Sequence, residues 1–111
     1  EPWERFDMLC VTAIYPNAPD SRFDTDYYLN AHTKLARGLL EQHGLTDIRT
    51  SIGIAALDGS PAPYWAISEM HFASRDRFDA AMSANGDTLF ADLPNYTNVD
   101  PILQFSELAS A

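Results

Sequence analysis

The sequence predicts an α+β domain with the element order β-α-β-β-α-β, the split βαβ or ferredoxin-like arrangement. Three observations carry this. Four short segments are either alternating or apolar on both faces, as strands are. Two longer segments repeat apolar residues at helical spacing. Each of these helical segments lies between strands and is followed by a glycine, Gly44 and Gly86. The 111 residues suit one domain, 1–111, with a single core.

Taken in order, Glu1 to Arg5 is a polar lead-in, and Phe6 to Ile14 is the first strand. Met8, Cys10, Thr12 and Ile14 occupy one face of it, Leu9, Val11 and Ala13 the other. Both faces are mostly apolar, as in a strand covered on both sides. Tyr15-Pro16-Asn17-Ala18-Pro19-Asp20 ends it as a loop. Phe23 to His43 is the first helix, with Asp24 or Asp26 in its opening turn. Asp47 to Leu57 is the second strand, and Gly53 inside it predicts a bulge or a close approach by another group. Asp58-Gly59-Ser60-Pro61 turns the chain into a third strand, Tyr64 to Phe72, forming a hairpin. Ser74 caps a second helix, Arg75 to Asn85, with Phe78, Ala81 and Met82 inward and Gly86 closing it. A further turn or two over Asp87 to Leu93 precedes a loop at Pro94 to Asn98, and Pro101 to Leu108 is the last strand.

Two helices cover one face of a four-stranded sheet. The second face also carries Ile, Leu, Val, Trp or Phe side chains whichever way each strand is oriented. It is therefore expected to be buried against a second copy, in a homodimer with an apolar interface. Glu69 and His71 share one strand face and are expected there as a satisfied polar pair, with Trp65 in the core of the assembly.

The first helix is the most informative stretch. At about 100° per residue, with His32 as the zero direction, Thr25, Leu39 and His43 fall within roughly 20° of it, Tyr28 and Ala36 within about 40°, and Leu29 and Leu35 within about 60°. Asp26, Tyr27, Asn30, Lys34, Arg37 and Glu41 fall roughly 120–180° away. A titratable imidazole thus sits at the centre of an apolar face that must be buried. A lone histidine on such a stripe is more often a satisfied packing residue than a functional one. Here Asp24, Tyr28 and His32 follow one another at i, i+4 spacing, and a buried edge with several polar groups is costly unless something uses or pairs them. Burial is expected to favour the neutral imidazole unless a carboxylate such as Asp24 lies close enough to reverse the shift.

Composition narrows the function classes. Net charge is −9, from 16 acidic and 7 basic residues, with no basic cluster. Nucleic acid and anionic membrane surfaces are thereby poor partners. The single cysteine, Cys10, forms no internal disulfide and reads as a buried structural thiol, which fits a cytoplasmic setting. No apolar run reaches the roughly 18 residues of a transmembrane helix. His32, His43 and His71 lack mutually supporting ligand spacing, so no metal is expected. No glycine-rich phosphate loop and no GxSxG is present, and no motif demands a cofactor. What remains is an apolar pocket with a few polar groups.

The ordered set Tyr15-Pro16-Asn17, Phe23, Tyr27-Tyr28, His32, Pro63-Tyr64, Phe72, Ala91-Asp92, Asn95-Tyr96-Thr97, Pro101 and Gln104-Phe105-Ser106 resembles the EthD-like proteins of the dimeric α+β barrel superfamily. The resemblance implies two ferredoxin-like subunits whose sheets form a shared barrel, with a pocket in each subunit between helices and sheet. The chain departs from the family at one point. A proline and an apolar residue often follow the helix histidine, whereas Thr33 and Lys34 follow here, which is expected to straighten the helix. Relatives in the wider superfamily include muconolactone isomerases, cofactor-independent monooxygenases, cyclases and haem-degrading enzymes, so fold alone assigns no chemistry.

These readings converge on a homodimer that binds a small hydrophobic organic molecule of aromatic or polyketide-like character. His32 is the expected general base or acid, in proton transfer or oxygen chemistry without a tightly bound cofactor. Tyr28 is expected to orient it or the substrate. Asn95, Tyr96, Tyr15 and Asp24 are the expected ligand-binding residues. The alternative is a non-catalytic small-molecule-binding accessory protein of a degradation pathway, using the same pocket.

Overall fold

The computed structural model describes residues 8–108. The lead-in Glu1 to Arg5, and Phe6 and Asp7 of the first expected strand, lie outside them. The elements are β1 (Leu9–Pro16), α1 (Thr25–Tyr27), a π-helical turn (Tyr28–His32), α2 (Thr33–Leu40), a 3₁₀ turn (Glu41–His43), β2 (Leu45–Ile52), β3 (Tyr64–Phe72), α3 (Arg75–Ala91), a second 3₁₀ turn (Leu93–Asn95) and β4 (Ile102–Glu107). The strands form one antiparallel sheet in the order β2-β3-β1-β4, the ferredoxin-like order.

Register fixes what each face carries. Leu9, Val11, Ala13 and Tyr15 of β1 stand beside Phe72, Met70, Ser68 and Ala66 of β3. Val11 and Ala13 also pair Phe105 and Leu103 of β4. This face receives the helices. Leu9, Val11, Ala36, Leu40, Leu45, Phe72, Ala81 and Leu89 form the aliphatic core. A second cluster, Tyr15, Tyr28, Ala66 and Tyr96, lies toward the other end of β1. The outer face is less apolar than expected. It presents Ile14, Ile67 and Ile102 together with Thr12, Arg49, Glu69, His71 and Gln104. Cys10 is buried as expected, and burial, followed by the nearby Glu69 carboxylate, pushes its thiol pKa up. His71 Nε2 lies 3.5 Å from Glu69 Oε2 without forming an aligned hydrogen bond. Trp65 is engaged within its own chain, donating from Nε1 to Ser21 Oγ at 2.9 Å and stacking on Phe23.

Several element boundaries differ from the sequence reading. β1 continues through Tyr15 and Pro16 because β3 pairs that far, across a register shift. β2 runs from Leu45 to Ile52 rather than to Leu57. The close approach expected at Gly53 is present: its N–H donates to the Trp65 carbonyl at 2.9 Å, and a Cβ there would collide with the Tyr64 carbonyl. The chain then leaves the sheet, exposing Ile54 and Leu57. The turn at Asp58 is present, its carboxylate accepting from Ser60 N and Oγ. Ser74 caps α3 by accepting from Arg77 N, but Gly86 does not end the helix. It is buried close against Met82, and α3 continues to Ala91 because Leu89 packs into the core. That packing outweighs the roughly 1 kcal/mol that an interior glycine costs a helix.

The first helix holds the largest departure. Instead of straightening where the proline is missing, it widens into a π-turn. Thr33 N bonds back to the Tyr28 carbonyl, which also accepts from Thr33 Oγ1 at 2.9 Å. The accommodated extra residue offsets the preceding segment by roughly one residue of rotation, about 100°. Leu29, expected inward, is 40% exposed. Tyr27, expected on the solvent side, turns toward His32 and Asp92. Tyr28 stays buried. Leu40, left off the expected inner face, is fully buried.

Candidate functional site

Three segments meet at His32. The π-turn supplies His32 itself, with Tyr27 and Tyr28 just before it. The end of α3 supplies Asp92, and the following 3₁₀ turn supplies Asn95 and leads into Tyr96. The end of β1 supplies Tyr15. The late loop is tied firmly to the start of the helix. Tyr96 O accepts from Asp24 N at 2.7 Å, Asn98 Oδ1 from Arg22 N at 2.8 Å, and Thr97 Oγ1 donates to Arg22 O at 2.8 Å.

His32 Nδ1 lies 2.8 Å from Asp92 Oδ2, and the side chains are 14% and 11% exposed. The other Asp92 oxygen accepts from Tyr27 Oη at 2.6 Å and from Asn95 Nδ2 at 2.9 Å. Burial alone would raise the Asp92 pKa; the hydrogen bonds from Tyr27, Asn95 and His32 outweigh it and hold the carboxyl below its ordinary value. Asp92 is therefore ionised near neutral pH. A carboxylate accepts only, so Nδ1 carries the proton of neutral His32 and Nε2 is left as the acceptor. Nε2 has no protein partner among the described residues. The Tyr27 hydroxyl, donating to Asp92, has its pKa raised, first by that hydrogen bond.

His32 lines two adjoining cavities, of about 120 Å³ and 70 Å³. The larger lies between α2, α3 and the sheet, walled by Val11, Ala36, Met82, Leu89, Phe90 and Leu103, with Tyr15 and Tyr96 as its other polar side chains. The smaller contains Tyr28, Ser68 and Thr33. Tyr15 Oη and Tyr96 Oη are 2.8 Å apart. Tyr28 Oη is 2.6 Å from Ser68 Oγ, which is 2.8 Å from Thr50 Oγ1. Burial raises the pKa of Tyr15, Tyr28 and Tyr96, so all three stay protonated. Among the described residues no three His, Cys, Asp or Glu side chains converge to hold a metal ion. No helix among them is long and apolar enough to cross a membrane.

The structure thus brings together His32, Tyr28, Tyr15, Tyr96 and Asn95. Tyr28 stacks on the imidazole, ring centroids 5.4 Å apart, but gives its hydroxyl to Ser68. Asn95 braces Asp92. Asp24 is exposed and caps the helix, its Oδ1 accepting from Tyr27 N at 3.0 Å. The carboxylate that pairs with His32 is Asp92, 60 residues further on. Asp92 and Tyr27 are the polar side chains of this cluster that the sequence reading did not assign to it. The available signal was the cluster of Asp92, Asn95 and Tyr96 within one short polar stretch.

An EthD domain model matches residues 19–100. Among solved structures, an EthD-like protein from Ralstonia eutropha JMP134 is similar, with a TM-score of 0.84 and 30% identity, covering 91% of this chain and 91% of that one. An ethyl tert-butyl ether D (EthD) family protein from Bacillus halodurans C-125 has a TM-score of 0.63 at 19% identity, covering 91% of this chain and 98% of that one. HapK from Hahella chejuensis has a TM-score of 0.52 at 17% identity, covering 94% and 95%. The latter two likenesses concern the fold alone. No curated protein matches the sequence. The domain match, which spans most of the chain, and the 30% identical structure establish that the protein belongs to the EthD family.

Proposed function

We propose that the protein is a cofactor-independent enzyme that moves a proton on a small hydrophobic organic molecule, with His32 as general base and Asp92 as its positioning partner. The observation that supports this reading is the Asp92–His32 pair at the wall of an apolar cavity, bonded on Nδ1 and, among the described residues, unpartnered on Nε2. A packing histidine would have both nitrogens engaged and no cavity in reach. An ionised carboxylate behind the ring fixes the tautomer and stabilises the imidazolium that forms when Nε2 takes a proton. An apolar cavity of about 150 Å³ takes a molecule the size of benzene, and the two adjoining cavities at His32, about 120 Å³ and 70 Å³, together exceed that volume. A ligand with one ring therefore fits, with Phe90 and Leu103 at the exposed side. Deprotonation is also the first step by which such a molecule becomes reactive toward dioxygen, so one base serves both proton transfer and oxidation. Screening quinones, lactones and ethers for turnover tests the reading. Product formation is the expected result; saturable binding without product would favour the accessory-protein alternative.

We further propose that the protein works as a homodimer, joined through the outer sheet face. Ile67 and Ile102 stand partly exposed there in the single chain, flanked by Arg49, Glu69 and Gln104. An apolar strip with a polar border has the layout of an interface. Sedimentation at micromolar concentration is expected to give a dimer, and a monomer would overturn the barrel assembly. The single cysteine and the proposed chemistry suit the cytoplasm.

A further inference from the structure

Five buried or half-buried hydroxyls gather beside His32: Tyr96, Tyr15, Tyr28, Ser68 and Thr50. They make three hydrogen bonds among themselves: Tyr15 with Tyr96, Tyr28 with Ser68, and Ser68 with Thr50. Each hydroxyl has one proton to give. The Tyr15–Tyr96 pair has two protons and one hydrogen bond between them, so one of its O–H groups has no acceptor within the pair, and neither donates to any other protein atom among the described residues. The pair therefore has a surplus donor. Tyr15 and Tyr96 place it on the wall of the cavity that also contains His32, whose ring centroid is 4.7 Å from that of Tyr96.

A base and a neutral hydrogen-bond donor on one apolar cavity are complementary to one kind of reacting molecule. We infer that the substrate is an enolisable carbonyl compound of single-ring size, whose oxygen takes the surplus hydrogen bond from the Tyr15–Tyr96 pair while His32 removes a proton from the adjacent carbon. This rests on the reading of His32 as a base. The step balances without a co-reactant. Nε2 takes the proton, the C–H electron pair becomes the C=C bond of the enolate, and the carbonyl π pair moves onto oxygen. Where the carbonyl compound is β,γ-unsaturated, the enolate is a dienolate; the imidazolium returns the proton to the γ-carbon, the π pairs shift to an α,β double bond and the carbonyl re-forms, which completes an isomerisation. The tyrosines keep their protons throughout and act as donors to the charge that develops on oxygen. Donors already in place in a water-poor site stabilise that charge more than the neutral carbonyl.

A phenolate carries its charge on an oxygen attached to a planar ring, as a cyclic enolate does, so 4-nitrophenol is the probe. Its ionised form absorbs visibly, and nitrobenzene is nearly isosteric without the hydroxyl. In the wild-type protein 4-nitrophenol is expected to bind as the phenolate at a pH below its solution pKa. Tyr15→Phe combined with Tyr96→Phe is expected to weaken its binding by about tenfold or more, the size of a lost hydrogen bond to a charged group. Nitrobenzene binding is expected to stay within about twofold, which also reports that the cavity remains folded. If phenolate binds equally well to the wild type and the double variant, the tyrosine assignment is wrong and the His32 reading stands. If 4-nitrophenol binds only in its neutral form, even in the wild type, the base reading fails with it. If neither probe binds, the cavity is no ligand site and both readings fall.

Discussion

Asp92→Asn lowers turnover by about 10²- to 10⁴-fold with the fold retained, the span expected for general-base catalysis. His32→Ala gives a loss of the same order, and the double variant is little worse than either single change. Two groups acting as one unit are non-additive in this way. The asparagine keeps the shape of Asp92 but removes the charge that fixes the His32 tautomer. It also leaves either His32, or Tyr27 and Asn95 together, facing an amide NH₂. Stability carries its own signature. The folded pKa of Asp92 lies below its unfolded value, so its contribution is complete above the unfolded carboxylate pKa and is lost as pH falls through the folded one. Urea midpoints measured from neutral to acid pH should therefore fall less steeply for Asp92→Asn than for the wild type. Parallel slopes, or turnover unchanged in either single variant, would show that the pair is structural.

The sequence made some parts of this architecture easy to read and concealed others, for identifiable reasons. β3 was located residue for residue, Tyr64 to Phe72, because a run rich in aromatic and apolar residues is bounded by Pro63 on one side and the Ser74 cap on the other. The order of strands followed from the order of elements and the shortness of the connections. The inward face of α3 was legible from Phe78, Ala81 and Met82, but its length was not. Gly86 is a stop signal in an isolated helix and a close-packing residue in this one. The π-turn was invisible because a face calculated at a constant 100° per residue has no place for an inserted residue. That single insertion moved Leu29 out and Tyr27 in. Tyr27 then reaches Asp92, and Asp92 reaches His32. A polar residue is paired in space, and its partner can come from any segment that the fold returns to the site. Asp24, near in sequence, was drawn to the helix cap because free amides at a helix start are the closest donors to it.

Phe72→Ala is expected to destabilise the protein by about 3–5 kcal/mol while sparing the activity of the molecules that remain folded. Phe72 is wholly buried at the end of β3, opposite Leu9 of β1 and Leu45 of β2. Its ring meets Phe78 of α3 edge-on at 5.2 Å, and Phe78 in turn meets Phe105 of β4 at the same distance and angle. One side chain therefore joins three strands to a helix. Truncation removes a large apolar surface from its neighbours and leaves a cavity that strands on both sides prevent from closing. A domain of this size has about 5–15 kcal/mol in total, so the melting temperature should fall on the order of 20 °C. Phe72 belongs to the aliphatic core, which also supplies Val11, Ala36 and Leu89 to the cavity wall, but Phe72 itself neither lines the cavity nor joins the tyrosine cluster beside His32. At a temperature where both proteins are folded, kcat should therefore match the wild type. His32→Ala should do the reverse, abolishing turnover with a far smaller change in the urea midpoint. A Phe72→Ala protein with native stability would mean that the core closes over the gap. A folded one without activity would mean that the two clusters are mechanically one.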